Sequence, residues 1–258
     1  MTMGFFNFDL NNPQTSFEWM IFLINKYLKM FLAGTWLTLY IAVLGTIFGF
    51  LLGYIVGIVQ DMKIGLGDNI VKKSMVRLRK SIAAAYVEIF RDTPMIVQAM
   101  IIYYGIRQLG VNMQPVFAGI LVTLLNTGAY MAETVRGGIG SIDIGQREGA
   151  WAMGMSPMKT MIYIVLPQAF KNIIPEMANT FLTNLKMTSV LNVIAVQELF
   201  MAAKTVGGNY YKYFESYLVI AVIYFVLCFV FNKIFNLMEK KLKGKKDYAL
   251  AVEYMDNQ

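Results

Sequence analysis

Charge is absent from Met30 to Gln60, from Gln108 to Ala132 and from Ser216 to Asn232. A helix needs ~20 apolar residues to cross a bilayer, and runs of this length and purity suit that use. Two further apolar stretches are less pure. One centres on the 14 residues from Thr93 to Ile106, ~21 Å of helix at 1.5 Å per residue. It is preceded by Glu88, Arg91, Asp92 and then Pro94, which would bend a continuous helix. The other, residues 173–203, contains Pro175, Glu176 and Lys186. A transmembrane β-barrel would instead alternate polarity in segments of ~10 residues. The pattern predicts an all-α polytopic membrane protein with five transmembrane helices, at about 30–59, 81–107, 115–136, 173–203 and 214–237.

The polar stretches between these runs carry the topology. Residues 1–29 read as an extracytoplasmic or interfacial lead-in, with a short helix anchored by Trp19 and Tyr27. The lead-in lacks a basic start and is interrupted by Asp9, Asn11, Asn12 and Pro13, so it is expected to be retained rather than removed as a signal. A short outer turn is expected at 108–114, and an outer loop carries Lys204, Gly207, Gly208 and Lys212. On the opposite side fall the loop 60–80, the segment 137–172 and the tail 241–258. Counted from Arg136 for the segment and from Met238 for the tail, that side holds fifteen Lys and Arg, against five on the other. By the positive-inside rule the N-terminus is then outside and the C-terminus in the cytoplasm.

Composition adds little to this and removes much. Residues are 57% hydrophobic and 15% charged, where a soluble domain carries about 25% charged residues. The mean hydropathy is +0.52. The net charge of +7 is accounted for by the loops, with no nucleic acid required. Cys228 is the single cysteine, so no disulfide forms within the chain. There is no histidine, which removes histidine-based catalysis and histidine metal sites. No metal and no cofactor is expected.

Two patterns stand out within this frame. Gly45, Gly49, Gly53 and Gly57 recur every four residues and share one helix face. Small residues at that spacing admit the close approach of another helix, in the same subunit or in a second one. The second pattern is the polar, glycine-punctuated segment from Asn126 to Phe170. A short helix is expected from Gln146 to Met153, broken at Gly154. Ser156 and Pro157 supply a second start, and Leu166-Pro167 would end it. Two short helices at an angle would thus be presented to the cytoplasm.

The landmarks of this segment are Glu148-Gly149-Ala150, then Gly154, Ile164 and Leu166-Pro167. Their spacing resembles the EAA loop of ABC importer permeases, with Gly149 where alanine is usual. FRDTPMIVQ at 90–98 resembles the FRGTP-type segment of polar amino-acid permeases, with Asp92 in place of glycine. LNTGAYMAETVRGGI at 125–139 and LKMTSVLNVIAVQEL at 185–199 resemble two more segments of that family. The last carries Met187 where aspartate is common. The resemblance spans roughly residues 30–240.

It implies the type I importer permease fold, used as a homodimer or with a homologous permease. It also implies a cytoplasmic ATP-binding subunit coupled through Glu148, Gly149, Ala150, Gly154, Ile164, Leu166 and Pro167, and an extracytoplasmic solute-binding protein. The setting would be a bacterial inner membrane, with lipid around the subunit. ATP hydrolysis would belong to the partner. Around GMSPMKT at 154–160, Met153 and Met158 stand at the two glycine positions that a phosphate-binding loop ending in Lys159 would need, and GGIG at 137–140 lacks a third glycine. Polar groups inside spans are candidates for the path of an amino-acid substrate. These are Asn126, Tyr130 and Glu133 at i, i+4 and i+7, and Lys186, Met187, Thr188, Ser189 and Asn192. Glu133 could equally pair with Arg91 or Arg136. Loss of an acidic residue at 187 points to a neutral or acidic polar amino acid, such as glutamine or glutamate. The other readings are a membrane adapter that recruits a cytoplasmic partner without transport, and an ion-coupled carrier acting alone. Polar residues within the spans argue against the first, and the absence of two like halves against the second.

Overall fold

The computed structural model describes residues 13–62, 64, 67 and 69–243, and among them the regular structure is entirely helical. Expectations for residues 1–12 and for the tail beyond 243 lie outside the described residues, as do Lys63 and Asp68 of the basic loop.

The first helix, α1, runs Ser16–Asp61, ~69 Å at 1.5 Å per residue. It absorbs the second half of the expected lead-in. Thr15 and Glu18 cap its start reciprocally, and the backbone bends at Tyr27 (φ −114°, ψ 21°). The extra turns persist because Leu23 and Phe31 are buried with Leu199, Val206 and Ile220. The chain then forms α2, Ile70–Asp92, and α3, Met95–Gln108. These replace the single bent span expected at 81–107. Thr93 is extended (φ −115°, ψ 143°), as a residue before proline must be, and Pro94 caps α3. α4 covers Pro115–Gly140.

The glycine row of α1 lies against α4. A Cβ on Gly45 would meet Thr123, on Gly49 Thr127, on Gly53 Met131, and on Gly57 Val135. Both sets ascend by four, so α1 and α4 run parallel, with matching rows of side chains in contact. The close approach expected of these glycines is made inside the subunit. Parallel packing also requires the chain to return between Asp61 and Pro115, and α2 with α3 makes that return.

The expected loop 137–172 is mostly helical: α5 (Ile144–Ala152), α6 (Pro157–Thr160), a π-turn (Met161–Val165) and the start of α7 (Leu166–Met187). Leu166-Pro167 does not end a helix. Leu166 N–H bonds five residues back to Met161 O, and this wider turn admits Pro167, which has no N–H to give. The expected span 173–203 is broken instead. After α7 a 3₁₀ turn covers Thr188–Ile194, Ala195 takes a left-handed conformation (φ 63°), and α8 (Leu199–Tyr210) departs at 55°. Lys204, Gly207 and Gly208 therefore sit in a helix, not an outer loop. Gly207 is there to admit Tyr213, whose ring would lie 2.9 Å from an added Cβ. The last helix, α9, is Tyr213–Lys243.

Three helices among the described residues, α1, α4 and α9, are long and apolar enough to cross a membrane. The bent pair from Pro157 to Tyr210 would be a fourth. Of the five expected spans, three correspond to single long helices, while 81–107 is split at Thr93 and 173–203 at the 3₁₀ turn. The break at Ala195 lies in the uncharged stretch 187–197, where hydrophobicity cannot distinguish a straight helix from a broken one, whereas the break at Thr93 follows Glu88, Arg91 and Asp92 and is marked by Pro94.

Candidate coupling segment and polar path

α5 begins where Asp143 accepts a hydrogen bond from Gly145 N–H at 2.7 Å. It faces the rest of the fold through Arg147 and Ala150, its two buried residues. Arg147 donates to Ile139 O, the last turn of α4, at 3.3 Å, and its guanidinium lies 3.6 Å from the Asp61 carboxylate at the end of α1. One side chain thus ties α5 to both partners of the glycine seam. Gln168 donates to Gln146 across to α7, and Asn172 to Ser141. Gly154 stands at φ +81°, which glycine adopts without strain. Ser156 then accepts from Lys159 N–H, with Pro157 at the first helical position. The helix–break–cap order expected from the sequence is present, shifted by two residues at its start.

The outward side of this segment is apolar and unsatisfied. Glu148 and Gly149 are exposed, and nothing lies within 4 Å of a Cβ placed on Gly149. Around them Ile144, Trp151, Met153, Met158, Ile162 and Tyr163 are all exposed, Met153 by 85%. Clusters of large exposed apolar side chains rimmed by polar ones mark interaction surfaces. Ile164 and Leu166 are half-buried and Pro167 is exposed. These three therefore contribute the continuity between π-turn and α7 more than the surface itself.

The polar residues of the spans form three separate groups. At the α2–α3 break, Asn126 donates to Phe90 O (3.2 Å) and Gln98 Oε1 (3.1 Å). Gln98 in turn donates to Phe90 O, Thr93 O and Thr93 Oγ1, each at 2.9 Å. The carbonyls freed by the break are satisfied from within, as depth in a bilayer requires. Asn126 is thereby committed to the fold. Beside it Tyr130, 46% exposed, reaches Arg91 O at 3.5 Å. Glu133 pairs with Arg136 at 2.6 Å and with Arg91 at 3.8 Å, so the carboxylate faces two guanidinium groups.

In the 3₁₀ turn, Thr188 is buried and donates to Leu185 O. Ser189 donates to Lys186 O and Asn192 to Ser189 O. Lys186 is exposed and Met187 half-buried, packed against the cluster of Ile41, Ala99 and Leu191. The two sets of candidates do not hydrogen-bond to one another in the contacts described.

Two polar centres escaped the sequence reading. Asn184, 5% exposed, donates to Thr46 Oγ1 (2.8 Å) and Thr127 Oγ1 (2.9 Å), joining α7 to both helices of the glycine seam. Glu198 is fully buried and caps α8, accepting from Phe200 N–H, Met201 N–H and the Tyr224 hydroxyl. Thr38 Oγ1 accepts from Leu199 N–H beside it. Its signal was available: a carboxylate in an apolar run is costly unless it serves the backbone or a function. Among the described residues no group of His, Cys, Asp and Glu could hold a metal ion.

The described residues thus form an all-helical bundle with broken returns, buried polar centres and an exposed apolar cluster on α5–α6, and similarity to known proteins places it among transport subunits rather than enzymes. The chain belongs to the family of binding-protein-dependent transport system inner membrane components, whose pattern it matches over residues 64–244. It is 35% identical over 214 residues to the arginine transport system permease protein ArtQ of Bacillus subtilis, covering 83% of this chain and 92% of that protein. It is 33% identical over 227 residues to a putative glutamine transport system permease protein GlnP of Rickettsia bellii (88% and 98% covered). A solved structure described as an amino acid ABC transporter with histidines superposes with a TM-score of 0.75 at 34% identity, covering 84% of this chain and 96% of that one.

Proposed function

We propose that this chain is the permease subunit of an ATP-driven amino-acid importer, carrying a polar amino acid of the glutamine or glutamate type. Family membership and the arginine, glutamine and histidine named for its relatives support the amino-acid class. The observation that carries the mechanism is the α5–α6 segment: apolar and exposed outward, and pinned inward by Arg147 to the ends of α1 and α4. Glu148, Gly149, Ala150 and Gly154 would dock on a separate ATP-binding subunit in the cytoplasm, which alone hydrolyses ATP. Closure of that subunit would move α5 and, through Arg147, the seam beneath it, switching the path between outward and inward access. A solute-binding protein would deliver substrate at the opposite face. The subunit would work as a dimer with itself or a homologous permease.

The substrate class rests on charge. Glu133 already faces Arg91 and Arg136, and Met187 offers no acceptor, so a cationic side chain finds no free carboxylate among the residues proposed for the path. Tyr130, Lys186, Ser189 and Asn192 keep polar groups toward its accessible side, whereas Asn126 and Thr188 shape it by holding the two helix breaks. We assign α3 and the α7–α8 unit as the two return crossings. This gives five in all, with the N-terminus outside and the C-terminus in the cytoplasm, in accord with the lysine and arginine count.

Reconstitution with the ATP-binding subunit in proteoliposomes tests this. Counterflow of labelled glutamine is expected to exceed that of arginine, and Met187→Asp to shift the ratio toward arginine. Glu148→Arg is expected to abolish co-purification of the ATPase. Clear arginine preference overturns the substrate assignment, and unaltered assembly and transport in Glu148→Arg overturns the docking role.

A further inference from the structure

A concave feature lies apart from the residues proposed for the polar path. α1, α7 and α9 enclose an apolar groove of about 280 Å³, lined by Val43 and Ile47, by Pro175, Ala178 and Phe181, and by Phe235 among others. Its floor is made by Phe181 packing edge-on against Phe231 and Phe235, with ring centroids 4.9 and 5.5 Å apart. The groove is open at its side: Ile47 is 44% exposed and Val43 37%. Its lining ends at Met238 and Glu239 on α9 and at Ile174 on α7.

What lies just past that end is basic. On α7, Lys171 stands three, four and seven residues before Ile174, Pro175 and Ala178, so it continues the face that lines the groove. On α9, Lys241 follows Met238 by three residues and extends its face in the same way. Both lysines are exposed. The groove therefore has an apolar shaft along α7 and the membrane-long α9, and a cationic mouth just past its end. The lone acid at the mouth, Glu239, is half-buried and engaged in contacts of its own.

We propose that this groove is a binding site for one acyl chain of an anionic phospholipid, with the phosphate held at the mouth by Lys171 and Lys241. The shaft matches the chain in polarity, and the mouth matches the headgroup in charge and in position at the interface. A basic residue near a membrane surface is worth about 1 kcal/mol toward anionic lipid. Zwitterionic lipid would satisfy the shaft and leave the mouth without its preferred charge. A second copy of the chain would have to place an acidic side chain at the same mouth.

The test uses the intact subunit in nanodiscs containing a photoactivatable acyl chain on phosphatidylglycerol or on phosphatidylcholine. Cross-links are mapped by peptide mass spectrometry. Adducts are expected within 174–181 and 231–239, several-fold more from the anionic lipid. Lys171→Gln and Lys241→Gln, both on exposed side chains, should each lower that preference roughly fivefold. Ala178→Leu, which fills the shaft, should remove the adducts from both lipids while leaving those on the outer face of α9, around Phe225 and Phe229. Equal labelling by the two lipids, or a preference untouched by the lysine variants, overturns the anionic assignment. Adducts unchanged in Ala178→Leu overturn the groove as the site. Chain-to-chain cross-linking between cysteines placed at 47 and 178 in two protomers would assign the groove to a second copy and overturn the lipid.

Discussion

The α1–α4 seam and the α5–α6 segment both carry apolar side chains, and they use them in opposite ways. In the seam, four glycines let one backbone rest on the next helix, so tightly that an added Cβ on Gly53 would lie 2.7 Å from Gly128 O and 2.9 Å from Ala132 N. In α5–α6 the large side chains face outward, and contact with the body is concentrated in Arg147, Ala150 and a few side-chain hydrogen bonds. The first arrangement is rigid because many short contacts must fail together. The second can be moved as a unit because few contacts hold it. Under the proposed docking role both are needed, and the two meet at Asp61, where the seam ends and the Arg147 tie begins.

The largest expected effect breaks the seam. Gly53→Val places methyl groups against backbone that cannot yield, and about 3 kcal/mol of stability should be lost. Thermal unfolding of the detergent-purified protein would read this as a large drop in Tm, whereas wild-type stability would show that the seam can open. Next comes the tie. Arg147→Ala removes the guanidinium 3.6 Å from the Asp61 carboxylate and should cost about 2 kcal/mol. In a double-mutant cycle, Asp61→Asn should recover most of that loss, and strict additivity would deny the pairing. The smallest effect tests the exposed face. Gly149→Ala adds a methyl into open space on α5 and should strengthen that helix by roughly 0.5–1 kcal/mol. Slower amide exchange over 144–152 with unchanged global unfolding would show it; altered global stability would mean that α5 is held more widely than its contacts indicate.

The same contrast sets what was legible in the sequence. The glycine row announced a close contact by its period alone, and the structure supplies its partner. The break and second cap of the α5–α6 segment were equally plain, because Gly154, Ser156 and Pro157 each act on their own neighbours, although the Asp143 cap escaped the sequence reading. Pro94 announced a bend, but not that Asn126, thirty-two positions on, would donate to the Phe90 carbonyl it frees. The turn at Ala195 has no local signature at all. An alanine at φ 63° carries a strain of about 1–2 kcal/mol, borne because Glu198 caps the next helix and Thr38 receives its first N–H. Leu166-Pro167 misled for a related reason: a π-turn accommodates a proline that an α-helix would refuse. Period and capping are local and can be read along the chain. Polar groups that serve a distant break are chosen by the tertiary fold and appear only there.

The seam also imposes an order on biogenesis. Gly45 packs on Thr123 and Gly57 on Val135, so each glycine leaves the ribosome seventy-eight residues ahead of its partner. Until α4 is inserted, a flank of bare backbone on α1 must face lipid or borrowed protein. The nascent subunit therefore passes through a stage with an unfilled groove along its first helix. A membrane chaperone could recognise that stage, and a protease could discard chains that never leave it.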